Sequence, residues 1–267
     1  MNFCVLGSGS KGNCTYVESG STSLLIDAGF SGREIQRRLE LINKTAENLT
    51  AIIVTHEHGD HISGVGVLSR RYNIPVYANP GTHLAAEKRV KKLHERKEFQ
   101  TGEKFFIHDL EIHPFRISHD TKDPVGFVIA DAGHSLGYCT DTGRITKLIE
   151  HHINKCGALI LEANHDPQML MDGPYPMPLK QRVRSNQGHL GNGDAARFLA
   201  GLSHSSLQYV VLAHLSETNN YPELAHTRVQ KELNRLAINF TIILASQTSP
   251  TPVISLADQQ HTINKPE

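Results

Sequence analysis

The sequence predicts an α/β protein, a four-layer αββα sandwich in which two sheets pack face to face and helices cover both outer faces. Three observations carry this. Strand-like runs outnumber helix-like runs, and the two intermix along all 267 residues. Both halves of the chain hold several strands followed by helical segments. Several apolar runs end directly in Asp or His, as strands do where an open α/β sheet presents its ligands. No linker or internal repeat divides the chain, so one domain is expected over 1–256, with a polar tail at 257–267.

The elements follow in order. Residues 3–6 and 14–18 read as strands around Gly7-Ser8-Gly9-Ser10-Lys11-Gly12-Asn13. That loop lacks the ending and the following helix of a phosphate loop. It is either a hairpin connection or a source of donors to an anion, with Ser10 and Asn13 as candidates. The run 22–29 is a strand leaving at Asp27. Ile35, Leu39 and Ile42 recur at helical spacing, so 31–41 is a helix with Arg33, Arg37 and Arg38 outward. Ser31 and Glu34 form a capping box at its start. The run 51–55 is a buried strand, 62–71 a helix and 74–78 a strand begun or edged by Pro75. Residues 82–97 read as a helix carrying Lys88, Arg89, Lys91, Lys92, His94, Arg96 and Lys97. Such a run is either a solvated face or, with Arg182 and Arg184, a nucleic-acid footprint.

Strand-like runs then alternate with turns from 103 to 130, with Ile117-Ser118-His119-Asp120 between two of them. A strand over 136–140 leads into Asp141, and 144–154 is a helix. The run 158–161 leads into Glu162-Ala163-Asn164-His165-Asp166. Residues 166–185, rich in Pro and Met and then basic, read as a long loop over one end of the fold. Helices are expected at 193–202 and 222–236, and strands at 209–213, leading into His214, and at 239–245. His151 and His152 read as helix-surface residues, and His134 as a solvent-facing turn residue.

Composition narrows the function classes. Hydrophobic residues make up 39% and charged residues 20%, which fits a globular protein. No run of 18 apolar residues predicts a membrane helix. Residues 1–7 lack a basic segment and a long apolar segment, so they read as a strand and not a signal peptide. Cys4, Cys14, Cys139 and Cys156 form no CxxC pair, which fits buried reduced thiols in the cytoplasm. Lys plus Arg equal Asp plus Glu at 27 each, so any polyanion footprint is local. The 17 His cluster in short polar stretches, which favours metal ligation.

The densest stretch is Thr55-His56-Glu57-His58-Gly59-Asp60-His61, three His and two carboxylates in six residues after an apolar run. Asp27, His119, Asp141 and His214 stand at other strand ends. A catalytic zinc ion uses about three protein ligands, and the candidates here suffice for two ions. Imidazole and carboxylate without thiolate suit Zn²⁺, Mn²⁺ or Fe²⁺. Two such ions generate hydroxide at neutral pH and clamp an in-line displacement, chemistry that fits phosphodiester, thioester or amide hydrolysis.

The Thr-His-Glu-His-Gly-Asp-His stretch resembles the signature of the metallo-β-lactamase superfamily. Asp27-Ala28-Gly29, His119, Thr140-Asp141-Thr142-Gly143 and His214 stand in that superfamily's order. The resemblance implies that His56, His58 and His119 hold one metal and Asp60, His61 and His214 the other, with Asp141 bridging. It places Asp27 behind a ligand His as its orienting carboxylate, and gives Asp60 a catalytic share. Gly7-Ser8-Gly9-Ser10-Lys11-Gly12-Asn13-Cys14, Glu162-Ala163-Asn164-His165-Asp166, Gly188-His189-Leu190-Gly191-Asn192 and His214-Leu215-Ser216-Glu217-Thr218-Asn219-Asn220 resemble the YycJ/WalJ-type branch. These are bacterial cytoplasmic proteins described as exodeoxyribonucleases. Gly191 departs from that branch's usual His-Leu-Ser-Asn and removes a hydroxyl. What this branch implies is a nuclease of 5′-to-3′ exodeoxyribonuclease type, acting on single-stranded DNA or duplex ends. By similarity to related phosphodiesterases, His189 is the candidate general acid ahead of His165, with Glu162 orienting it. Ser10, Asn13, Asn164, Asn192 and Asn219 are candidate substrate contacts. The alternative is a small-molecule metallo-hydrolase, acting on a phosphodiester or a glyoxalase II-like thioester. A non-enzymatic metal-binding partner is the third class.

Overall fold

A computed structural model describes residues 1–202, 206–236 and 238–256. The tail at 257–267 lies outside the described residues. The first half runs β1 (Asn2–Gly7), β2 (Cys14–Ser19), β3 (Thr22–Ile26), α1 (Gly32–Leu41), β4 (Ala51–Ile53), α2 (Gly59–Ile62), α3 (Val65–Tyr72), β5 (Pro75–Ala78), α4 (Pro80–Val90) and β6 (Glu95–Glu98). The second half runs β7 (Phe105–Ile107), β8 (Leu110–Arg116), β9 (Val125–Ala130), β10 (Ser135–Cys139), α5 (Lys147–Ile153), β11 (Ala158–Glu162), α6 (Pro167–Asp172), α7 (Met177–Arg184), α8 (Asn192–Gly201), β12 (Tyr209–Ala213), α9 (Pro222–Leu236) and β13 (Thr241–Leu244). A final β14 (Ile254–Ser255) returns to pair with β1.

Among the described residues the strands form two seven-stranded sheets, β14-β1-β2-β3-β4-β5-β6 and β13-β12-β11-β10-β9-β8-β7. Each is antiparallel at one end and parallel at the other: β3 to β6 in the first, β10 to β13 in the second. Successive side chains on a strand face opposite ways. Ile26, Ile53, Ile160 and Val211 therefore point between the sheets, into a core shared with Phe127 and Tyr138. Their neighbours Leu25 and Ile52 point outward to Ile35, Leu39 and Leu68 of the helices. Leu159, Val210 and Leu212 do the same toward Ile149, Leu199 and Val229. Both faces of the inner strands are thus covered, which explains why they read as unbroken apolar runs. This is the αββα sandwich that the sequence predicts.

Several expected elements differ. The helix over 62–71 is split, because the Gly64 N–H bonds Ala28 O at 2.7 Å and draws the backbone toward the end of β3. The helix over 82–97 stops at Val90, and Lys91 takes a left-handed φ of 63°. Residues 95–98 instead form edge strand β6, parallel to β5. There Glu95 pairs with Lys97 and Arg96 with Glu98, each couple on one face of the strand. The long loop over 166–185 contains α6 and α7. Asp166 caps α6 by accepting from the Gln168 and Met169 N–H groups, with Pro167 at the first helical position.

Ser31 caps α1 as expected, accepting from the Glu34 N–H at 3.2 Å. The Glu34 carboxylate does not close the box; it pairs with Arg37 and Arg38. Arg38 is not outward but buried. It donates to Leu6 O and Gln247 O, and its Cζ lies 3.9 Å from the Phe30 ring centroid. His134 is half-buried and bonded to Asp131, and the His152 ring stacks on Phe115. All four cysteines are buried and unpaired.

Candidate metal centre

Parallel register brings the strand ends level. Ile26 pairs with Ile53, Cys139 with Leu161 and Glu162 with Ala213. Asp27, the 55–61 loop, Asp141, Glu162 and His214 therefore leave their sheets along one edge of the sandwich, and His119 joins them from beyond β8. Asp27, Asp141 and His214 turn off their strands with φ of 59°, 56° and 54°. A left-handed residue other than Gly costs on the order of 1 kcal/mol and is held where surrounding contacts over-determine it. At these three positions the turn aims the side chain into the cluster.

The hydrogen bonds fix which nitrogen each imidazole presents. His61 Nδ1 lies 2.8 Å from Asp27 Oδ2, and His214 Nδ1 lies 2.9 Å from Glu162 Oε1. His119 Nδ1 lies 3.3 Å from the Gly188 carbonyl. These oxygens only accept, so each Nδ1 carries a hydrogen and Nε2 is the atom left to face a ligand. Thr55 Oγ1 gives its hydrogen to Asp27 Oδ2 and accepts from His56 Nδ1, so His56 follows the same rule. Asp27 thus orients two imidazoles, one directly and one through Thr55. His119 Nε2 faces His58 Nδ1 at 3.2 Å.

The freed atoms converge. Candidate ligand atoms lie within 4.8 Å of one another in four overlapping groups: His56-His58-His119, Asp60-His61-His214, His56-His61-Asp141 and Asp141-Glu162-His189-His214. His56 Nε2, His214 Nε2 and Asp141 Oδ2 are buried without a hydrogen-bond partner in the protein. Leaving such atoms bare costs roughly 1–3 kcal/mol each, which a shared cation removes. Nitrogen and oxygen donors in this density fit divalent metal binding. Asp141 stands centrally, 3.4 Å from His61 Nε2, 3.4 Å from His214 Nδ1 and 3.9 Å from His119 Nε2.

Charge is arranged to match. Burial disfavours a proton on His61, but Asp141, Asp27 and Asp60 outweigh it and lift its pKa to about 9. The His214 pKa is raised well above its ordinary value against the same burial, by Asp141, Asp60 and Glu162. His56 is pushed the other way, by burial first and then by the imidazoles of His61 and His119. Asp60 and Asp141 are held below the usual carboxylate range: burial opposes this, but the neighbouring imidazoles prevail.

Glu162 is fully buried and committed. Oε1 accepts from Nδ1 of both His189 and His214; Oε2 accepts from the Thr142 and Leu190 N–H groups. His189 is therefore held beside the cluster with its other nitrogen on the far side of the ring. Its side chain is 20% exposed and lines a cavity of ≈ 160 Å³ with Ser10, Asn164, Tyr175, Arg182 and Asn219. His165 is buried at 4% and does not line it.

Two of the expected substrate contacts, Asn13 and Asn192, are engaged inside the protein. Asn13 is fully buried, and its amide is used inside the protein. Oδ1 accepts from Ser8 Oγ and the Gly9 N–H, while Nδ2 lies 3.3 Å from Asp60 Oδ2 and 3.1 Å from His61 Nε2. Asn192 is buried and paired with Asn220, whose Nδ2 also binds the carbonyls of Ala163 and Asn164. Ser10 is exposed at the cavity, whereas Asn164 and Asn219 line it from buried positions. Gly191 proves to be the N-cap of α8, without a side-chain cap. The absent hydroxyl is therefore a lost cap, worth only a few tenths of a kcal/mol when Gly stands in. Ser8 and Thr55 were overlooked by sequence reasoning. Ser8 Oγ accepts from the His214 N–H and donates to Asn13, so this loop ties the two sheets' contributions together. Its signal was present in the polar residues between Gly7 and Asn13.

A family model described as a β-lactamase superfamily domain matches residues 22–215. The chain is 37% identical over 235 residues to exodeoxyribonuclease YycJ of Bacillus anthracis, covering 87% of this chain and 89% of that protein. It is 36% identical over 264 residues to exodeoxyribonuclease WalJ of Streptococcus pneumoniae, covering 96% and 98%. Its fold is similar to that of the metallo-β-lactamase fold protein YhfI from Bacillus subtilis, with a TM-score of 0.70 at 20% identity over 94% of this chain and 98% of that one. The cluster, the sandwich that presents it and these likenesses agree: the chain belongs to the metallo-β-lactamase superfamily, in the branch that holds YycJ and WalJ.

Proposed function

We propose that this protein is a metal-dependent exodeoxyribonuclease holding two divalent ions, Zn²⁺ or Mn²⁺ with Fe²⁺ also suited to the donor set. His56, His58 and His119 would hold one ion and Asp60, His61 and His214 the other, with Asp141 between them. When bound, such ions supply a nucleophile from water at neutral pH and neutralise charge developing on the phosphate. The protein's own residues do the rest. Asp27 and Thr55 hold the lone pairs of His61 and His56 inward. Asn13 steadies Asp60, the carboxylate of the cluster nearest solvent. His189, with Nδ1 on Glu162, offers Nε2 to protonate the leaving oxygen.

The observation that carries this reading is the shared carboxylate: one oxygen of Glu162 binds both His189 and the cluster residue His214. A histidine locked to the cluster but outside the proposed ligand sets suits proton transfer to a leaving group. The names of YycJ and WalJ support DNA as the polymer, and four unpaired thiols suit a reducing cytoplasm. The second reading, a small-molecule hydrolase, is favoured by the zero net charge and the small cavity. Metal-loaded protein is to be incubated with end-labelled single- and double-stranded DNA and with bis-p-nitrophenyl phosphate. DNA degradation that weakens in His189→Ala is expected, and the labelled end reads the polarity. Turnover of the small ester alone, with no loss in His189→Ala, rejects the nuclease.

A further inference from the structure

The cluster is closed on most sides. His56, His61, His119, Asp141 and His214 are buried, whereas residues 57–60 and His189 are half-buried. Solvent, and hence a substrate, meets the cluster along the 57–60 edge and through the cavity lined by His189 and His214. Arg89 of α4 stands against that edge. A Cβ placed on Gly59 would lie 2.0 Å from one terminal guanidinium nitrogen of Arg89 and 2.7 Å from its Cζ. The guanidinium therefore rests directly on the Gly59 backbone, between His58 and Asp60.

Arg89 is exposed, and among the described residues no carboxylate pairs with it and no acceptor takes its donors. Lys122 also stands at this edge, its backbone N–H on Glu57 Oε1 at 2.8 Å, but it carries a point charge and not a fork. Several other basic groups are spent. Arg182, across the cavity, is tied to Asp120 at 2.6 Å, and Arg96 and Lys97 are paired along β6. Arg89 thus keeps five N–H donors in a planar fork, the geometry that grips a phosphate by two oxygens. We propose that Arg89 clamps the phosphate next to the scissile one on a DNA strand lying across the 57–60 edge. This rests on the nuclease reading, and it makes Arg89 the residue that separates polynucleotides from small esters. A small diester has no neighbouring phosphate for the clamp to hold.

The test compares wild type, Arg89→Ala and Arg89→Lys on single-stranded oligonucleotides and on bis-p-nitrophenyl phosphate, with metal content measured for each. In Arg89→Ala the ratio of kcat/KM for DNA to that for the ester should fall about tenfold, chiefly through KM. The dependence of log kcat/KM for DNA on log salt should flatten by about one unit. Arg89→Lys should restore the salt dependence but not the whole ratio, since it keeps the charge and loses the fork. Equal loss on both substrates overturns the inference, because Arg89 then only props the metal loop. An unchanged ratio and salt slope in Arg89→Ala, with DNA still degraded, overturns it alone. Wild type that cleaves the ester and leaves DNA intact ends the nuclease reading and this inference with it.

Discussion

At the scale of single residues, the site is a set of imidazoles held by their Nδ1 hydrogens, with Nε2 of His56 and His214 left without a partner in the protein. Glu162 binds two imidazoles, one proposed as general acid and one as metal ligand, so two substitutions should separate them. His189→Ala should keep fold and metal stoichiometry and slow DNA hydrolysis by roughly 10²–10⁴-fold, the usual worth of a general acid. Glu162→Gln should also weaken metal binding, by about 10–100-fold, because the partner of His214 is lost as well. Elemental analysis alongside rates checks both, and metal loss in His189→Ala refutes the division. Protonation gives a further prediction. The His61 pKa is raised to about 9, so the metal-free protein carries that proton through neutral pH. A raised folded-state pKa stabilises fully below the ordinary value of 6.5, and the contribution fades as pH rises through 9. Metal-free protein should therefore lose thermal stability between pH 6.5 and 9. Metal uptake in that window should release protons, visible by calorimetry in buffers of different ionisation enthalpy. A flat stability profile without proton release would contradict the carboxylate field around His61.

At the scale of elements, the decisive contact is between the end of β3 and the 55–61 loop. A Cβ on Gly29 would lie 1.7 Å from Asp60 O and 2.6 Å from Asn13 N. The close approach allows Asn13 N–H to bond Asp60 O at 2.7 Å and Ala28 N–H to bond His61 O at 2.8 Å. Gly29→Ala should therefore displace the loop, lower metal stoichiometry and cost about 1–3 kcal/mol, the range of overpacked sites. Gly201→Ala is the control, since nothing lies within 4 Å of a Cβ there. Equal melting temperatures and metal contents for the two variants would remove Gly29 from this role.

At the scale of the whole molecule, the cluster joins the two sheets. Asp27 and the 55–61 loop belong to the first sheet; His119, Asp141, Glu162 and His214 belong to the second. Ligands that bind only the folded state stabilise by about 4 kcal/mol at a thousandfold excess over Kd. For a protein of this size that is on the order of 10 °C in Tm. Chelation should lower Tm by that amount, and added Zn²⁺ or Mn²⁺ should restore it. No shift on chelation of metal-loaded protein would mean that the cation does not bridge the sheets.

The sequence by itself determined the layers, because apolar runs long enough for strands and Ile-Leu spacing at helical period permit few other arrangements. It also determined the 55–61 cluster, where six consecutive residues carry the chemistry. It could not supply the fate of Arg38, which looks outward by period but is claimed by Leu6 O and Gln247 O from distant segments. Nor could it place residues 95–98, whose alternating charges become a strand only because β5 offers an edge to pair with. The roles of Asn13 and Asn192 were decided in the same way. An amide is a donor and an acceptor in any setting, and only the folded chain shows whether its partners are Asp60 and Asn220 or a substrate. Local pattern fixed the elements and the ligand types because it depends on neighbours in sequence. Tertiary structure decided which polar atoms were left free, because that depends on partners as far apart in the chain as Asn2 and Ser255, 253 residues away.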